Sequence, residues 1–374
     1  MPFRLLSLAV AVALSAGCAS TPDREPDETA EVDPLIRDAG IDYATVAETF
    51  VTAETPKDNI DSPAAWASGD GKVWLFATAK EGKGLVLYDG DTGATIRGIG
   101  TEGSRPGQFK RPNGVSVHGN HVFVVERDNQ RVQVLSLPSL ATVATFGEKE
   151  LRKPYGLWVR EHASGELEVL VTDAYMAGED ANGDEIPPPL PELARRVQRY
   201  LLHIDGDAVS AVNAGAFGDT TEAGAIRVPE SLWGDPAHDR LLISEEDLKT
   251  GTAVREYSLA GEFRGRTIGL GRFKAQAEGL ALWGCADGSG YWLATDQYKD
   301  RSLFHVYDRK TLEPLGAFAG RTVANTDGVW LHQAPTARFP KGVFYAVHDD
   351  KAVGAFDWRE VATALGLRQD CPAP

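Results

Sequence analysis

Apolar and polar residues alternate along this chain in short runs that end at Gly, Pro, Asn or Asp. VWLFATAK, GLVLYDG, VFVVE and RVQVLS have this form. A period of two puts successive side chains on opposite faces and predicts β-strands. Helical spacing is scarce and is clearest in WREVATALGL near the end. Six times a strand opens with a turn residue and a polar residue. The openings are IDSPAAW (60–66), RPNGVSV (111–117), KPYGLWV (153–159), VPESLWG (228–234), AEGLALW (277–283) and TDGVWLH (326–332). Each is followed by a second and a third apolar strand, and usually a fourth. A multi-stranded unit repeated six times predicts an all-β fold, a six-bladed β-propeller.

The pattern sets the blades at 61–100, 108–147, from 154 onward, 228–271, 276–320 and 325–358. The second reads GQFKRPNGVSVHGNHVFVVERDNQRVQVLS and resembles the NHL repeat propellers. The third is broken by Met176–Pro191, whose prolines and acids predict an inserted loop rather than sheet. Blade six shows only three strands, so the segment Thr45–Glu54 is expected to supply the fourth and close the ring. WREVATALGL is expected as a short helix outside it.

Composition changes the picture at the chain's start. Leu5–Leu14 is an apolar run, too short to span a bilayer, that follows Arg4 and leads through Ser15-Ala16-Gly17 into Cys18. This layout predicts a lipoprotein-type signal peptide over 1–17, lipidation of Cys18 and anchoring at a bacterial cell envelope, on the outer membrane or its periplasmic face. Residues 18–40 read as a flexible Pro-rich acidic tether, and 41–374 as the propeller. Removal of residues up to Asp38 is expected to leave the core intact. An exported chain allows Cys285 and Cys371 to pair, two free thiols being the alternative. The formal net charge of −16 argues against nucleic acid as a partner. The chain is expected as a monomer.

In a propeller the inner strands begin at one face. The opening residues Asp61, Asn113, Tyr155, Glu230, Glu278 and Asp327 therefore converge on one channel mouth. Carboxylates gathered in a ring repel one another unless a cation lies among them, and oxygen donors suit Ca2+. The second strands end at the same face, at Lys80, Glu126-Arg127, Asp173, Glu245-Glu246, Asp296 and His348-Asp349. Lys80 and Arg127 suit a phosphate or carboxylate. The sequence carries no Cys or His cluster with transition-metal spacing and no nucleophile elbow.

Several blades together resemble the β-propeller phytases, which are calcium-dependent enzymes that hydrolyse inositol phosphates. The likeness is carried by DNIDSPAAW with TAKEGKGLVLYDG, AEGLALWGCADGSGYWLATDQ with FHVYDRK, NTDGV, and KGVFYAVHDDKAVGAFDWREVA. It implies that Asp61, Glu230, Glu246, Glu278 and Asp327 hold calcium and the attacking water. It also implies that Lys80, Arg127 and Tyr155 contact a small phosphorylated substrate, with Glu246, Lys80 and Arg127 catalytic. Three positions depart from the family's pattern. Ser62 and Gln276 stand where it has acids, and Ala174 where it has a phosphate-binding lysine, for which Arg195 or Arg196 is a candidate substitute. Two other readings keep the fold and change the function. One is a non-catalytic NHL-type binding module, the other a metal-dependent sugar-lactone hydrolase with Asn113 at the ion.

Overall fold

The structure, a computed structural model, describes residues 34–371 apart from 182, 184, 206 and 207. The signal peptide, Cys18 and most of the expected tether lie outside these residues. The chain is a six-bladed β-propeller. Blade one is the antiparallel meander Ile60–Ala67, Val73–Ala79, Gly84–Asp89 and Thr95–Ile99. Four further meanders follow it in chain order. Their inner strands are Pro112–His118, Pro154–Ala163, Pro229–Asp235 and Ala277–Gly284. Alternation along these strands buries one side chain between neighbouring blades and the next on the opposite face, so the core is a series of interblade layers. One such layer joins Val73, Leu75, Tyr345 and Val347 of blades one and six.

Ring closure follows the expected route. Val329–His332, Val343–His348 and Ala352–Asp357 form three strands of blade six, and Phe50–Val51 pairs antiparallel with the last of them, Phe50 opposite Ala355. The blade thus combines both ends of the chain, which removes an open sheet edge. Ala44–Thr45 adds a short parallel strand outside blade five. The expectation that residues up to Asp38 bury nothing needs correction. Ile36 is 4 % exposed and packs near Tyr298 and Leu303 of blade five, and its N–H donates to Asp300 Oδ1 at 2.8 Å.

Two other details refine the sequence reading. The blade-three insertion is not wholly irregular. It forms a two-stranded ribbon, Gly178–Glu179 with Glu185–Ile186, followed by the 3-10 turn Leu190–Arg195. The tail helix Trp358–Leu365 starts at Asp357, whose side chain accepts the Arg359 N–H, and stops at Gly366 with φ of 67°. Trp358 stacks on Trp283 with centroids 4.9 Å apart. Beyond the helix, Cys371 is disulfide-bonded to Cys285 of blade five.

Candidate metal and anion site at the channel mouth

Five of the opening residues lie one residue past the first cross-strand pair of their inner strand, and in blade six Asp327 lies two residues before the first pair, Val329 with Ala346. Ile60, Pro112, Pro154, Pro229 and Ala277 pair with Ala79, Glu126, Asp173, Glu245 and Asp296 of the second strands. The residue after the opening one is Gly in four blades, for a steric reason. A Cβ on Gly114 would lie 2.6 Å from the Tyr155 carbonyl oxygen, and one on Gly156 2.6 Å from that of Glu230. On Gly279 it would lie 2.8 Å from the Asp327 oxygen, and on Gly328 2.7 Å from the Asp61 oxygen. Each glycine therefore lets the next blade's opening residue approach the channel. Hydroxyls on the second strands also fix carbonyls of opening residues, that of Glu230 among them. Thr78 donates to Asn113 O at 2.6 Å, Thr172 to Glu230 O at 2.8 Å and Ser244 to Glu278 O at 2.5 Å.

The second-strand acids take a different role from the expected one. Glu126, Asp173, Glu245 and Asp296 do not serve the mouth. They are buried and accept backbone N–H groups from the segment leading into their own blade. Lys110 N donates to Glu126, Lys153 N to Asp173, Val228 N to Glu245 and Ala275 N to Asp296, over 2.7 to 3.2 Å. In blade six the Nδ1 of His348 accepts the Ala324 N–H at 3.3 Å. The residues just past the second strands are the ones that reach the mouth. Lys80, Arg127, Ala174, Glu246 and Gln297 line its cavity, and blade six contributes Asp350.

The mouth divides by charge. On the side of blades four and five, one carboxylate oxygen each from Glu230, Glu246 and Glu278 lies within 4.8 Å of the other two. Burial, followed by repulsion from Glu278, Glu246, Asp61 and Asp327, pushes the Glu230 carboxyl well above its usual range. Five acids thus act on one small volume, a set whose repulsion a hard cation would relieve.

Asp61 and Asp327 belong to the ring but already share a cation. Lys80, 2 % exposed, places Nζ 3.0 Å from Asp61 Oδ2 and 3.7 Å from Asp327 Oδ2. The positions where the resemblance implies an acid carry neutral donors that steady the remaining acids. Ser62 Oγ donates to Asp61 Oδ1 at 2.7 Å, and Gln276 Nε2 to Glu246 Oε1 at 2.6 Å. Gln297 Nε2 donates to Asp327 Oδ1 at 2.5 Å.

Blades two and three supply the cationic side. Arg127 Nε lies 2.8 Å from Asp128 Oδ1, and Tyr155 lines the cavity beside it. Arg196 does not substitute for the missing lysine. It is buried, and its guanidinium donates to the carbonyls of Ile226, Asp173, Tyr175 and Arg227. Arg195 closes the 3-10 turn beside it. The cation that reaches the mouth here is Lys153, which sequence reasoning passed over. Its signal was its place two residues before Tyr155, since Val228 and Asn325, at the same place in blades four and six, also line the cavity. Asn113 is 0 % exposed. Below the ring, Trp233 and Trp330 meet edge to face at 5.4 Å. They lie three residues past Glu230 and Asp327, about 10 Å down the inner strands, and narrow the channel there.

No family model matches the chain, and no curated protein matches its sequence. Solved structures that are similar are so at the level of backbone. Regucalcin from Agrobacterium tumefaciens, a calcium-binding protein, has a TM-score of 0.48 at 10 % identity, covering 84 % of this chain and 95 % of its own. The Cps50 (Swd1) β-propeller domain of Myceliophteria thermophila has a TM-score of 0.47 at 10 % identity, covering 83 % and 99 %. Hydrazine synthase of Kuenenia stuttgartiensis has 0.45 at 11 % identity, covering 79 % and 75 %.

Proposed function

We propose that this chain is a calcium-dependent, phytase-like phosphomonoesterase acting on inositol phosphates or related small phosphate esters. The observation that carries the reading is the divided mouth. Three carboxylates converge within 4.8 Å on one side, and Arg127 and Lys153 line the other. An anion needs both features, because the acids alone would repel it.

Glu230, Glu246 and Glu278 would hold the ion, with Asp61 and Asp327 adding negative potential. Bound there, calcium would screen the ester's charge and lower the pKa of a water molecule. The chain's own residues do the rest. Arg127 and Lys153 would bind the phosphoryl oxygens, and Tyr155, which lines the same cavity, would limit how the ester turns. Glu246, partly exposed and held by Gln276, takes the proton from water as the water oxygen bonds to phosphorus and the P–O bond to the alcohol breaks. The alcohol leaves as the alkoxide and takes a proton from solvent water, and Glu246 returns its own proton to solvent. Lys80 offsets the charge of Asp61 and Asp327, so that the anion does not meet the whole ring unscreened.

The test is phosphate release from phytate by protein lacking residues 1–18, with and without calcium. Turnover that requires calcium is expected, together with a melting temperature that climbs with free calcium. Glu278→Gln should shrink that climb, and Arg127→Ala should lower turnover about 10²-fold while sparing calcium binding. Calcium-independent turnover would reject the reading. Calcium stabilisation without turnover of any phosphomonoester would leave a binding module. Attachment to the bacterial envelope through Cys18 is part of the same proposal, addressed by membrane fractionation of Cys18→Ala.

A further inference from the structure

Lys153 is a cationic mouth residue tied to the blade-three insertion. It immediately precedes the inner strand of blade three and lines the cavity with Arg127 and Tyr155. Its backbone is fixed, since its N–H donates to Asp173 Oδ1 at 2.7 Å and its carbonyl accepts from Ala174 N at 2.8 Å. Ala174 supplies no long side chain that would crowd it. The Lys153 ammonium is ion-paired with Glu185, which sits on the returning arm of the ribbon and lines the same cavity. The two side chains are 22 % and 25 % exposed.

A partly exposed ion pair in an already acidic cavity gives little stability. The charge it presents still matters. A carboxylate held against a lysine at a cavity wall occupies the position an oxyanion would take. Lysine is a point charge without the fixed fork of arginine, so one oxyanion replaces another there without a demand on geometry. The other cations of the region are differently committed, Lys80 to two ring acids and Arg196 to backbone carbonyls.

We propose that Lys153 is an anion-binding residue of the mouth and that Glu185, brought in by the insertion, is its internal competitor, displaced by the phosphate of the substrate. The proposal deepens the phosphomonoesterase reading and rests on it. It makes the insertion a specificity element. A doubly charged phosphate displaces Glu185, whereas a weakly charged ligand does not.

The experiment is calorimetric titration of inorganic phosphate into the calcium-loaded protein lacking residues 1–18. Wild type is compared with Glu185→Gln, Lys153→Gln, Lys153→Arg and the double variant Lys153→Gln/Glu185→Gln. Removing the competitor should tighten phosphate about threefold to fivefold, the scale of a partly exposed ion pair. Lys153→Gln should weaken it about tenfold or more, as loss of a charged hydrogen bond does, and Lys153→Arg should retain it. The double variant should match Lys153→Gln, because the competitor acts only through the lysine. Glu185→Gln that binds like wild type, or that still tightens binding without Lys153, overturns the proposal. Phosphate bound by wild type and unchanged in Lys153→Gln overturns this inference alone. No phosphate bound by wild type overturns the phosphomonoesterase reading as well.

Discussion

At the scale of single residues, neighbouring positions in this fold do opposite jobs. Glu245 is fully enclosed and receives backbone N–H groups, while Glu246 turns to the channel and joins a cluster of carboxylates. A tandem acid pair in sequence looks uniform, and only strand pairing separates the two. His348 marks the same anchor position in blade six, with imidazole where four other blades use a carboxylate. Burial lowers its pKa below the ordinary histidine value, with Lys351 adding to the shift and Asp349 and Glu54 opposing it. The folded state therefore binds the proton less readily than the unfolded chain. Its contribution is present above about pH 6.5 and is lost as pH falls through the lower folded value. His348→Gln should flatten the acid side of the stability curve in this window, read by urea unfolding at several pH values. An unchanged acid limb would show that His348 stays neutral for another reason or does not matter.

At the scale of the element, the inner strand is a positioning device. The opening residue points to the channel, the next is small, and the following residues pack between blades. Gly156 illustrates the link between packing and site. A side chain there meets the Glu230 carbonyl oxygen at 2.6 Å, and backbone cannot yield as a flexible side chain can. Gly156→Ala should destabilise the fold by roughly 1–3 kcal/mol, the usual range for overpacking. The same change should weaken calcium binding, because the displaced backbone carries Glu230. Denaturant melts combined with a calcium titration would check both. Destabilisation with calcium affinity intact would mean that the strand absorbs the strain away from the mouth.

At the scale of the molecule, the ring is held shut by its N-terminal segment. Phe50–Val51 supplies the outer strand of blade six, and the Phe50 ring approaches Phe339 and Tyr345 at 6.3 and 6.5 Å. A chain starting at Pro56 loses this strand, exposes an edge and should aggregate. A chain starting at Ala39 keeps the strand but loses Ile36, whose burial is worth about 1.5–3 kcal/mol. It should fold and melt below a chain starting at Pro34. Equal melting of the last two would show that the Ile36 contact contributes nothing in solution.

The sequence by itself determined the repeat, the six inner strands, the closure by the N-terminal segment and the tail helix. All of these follow from local periodicity and turn chemistry, which a linear text records. It also placed Asp61, Glu230, Glu246, Glu278 and Asp327 at one face, because strand direction alone sets where each inner strand begins. Tertiary structure decided how those acids are used. Lys80 lies between Asp61 and Asp327, Gln276 holds Glu246, Arg196 is spent on carbonyls, and Lys153 faces Glu185 across blade three. Such pairings join residues from different blades or from an insertion. They depend on distances of a few ångströms that no spacing in the chain encodes.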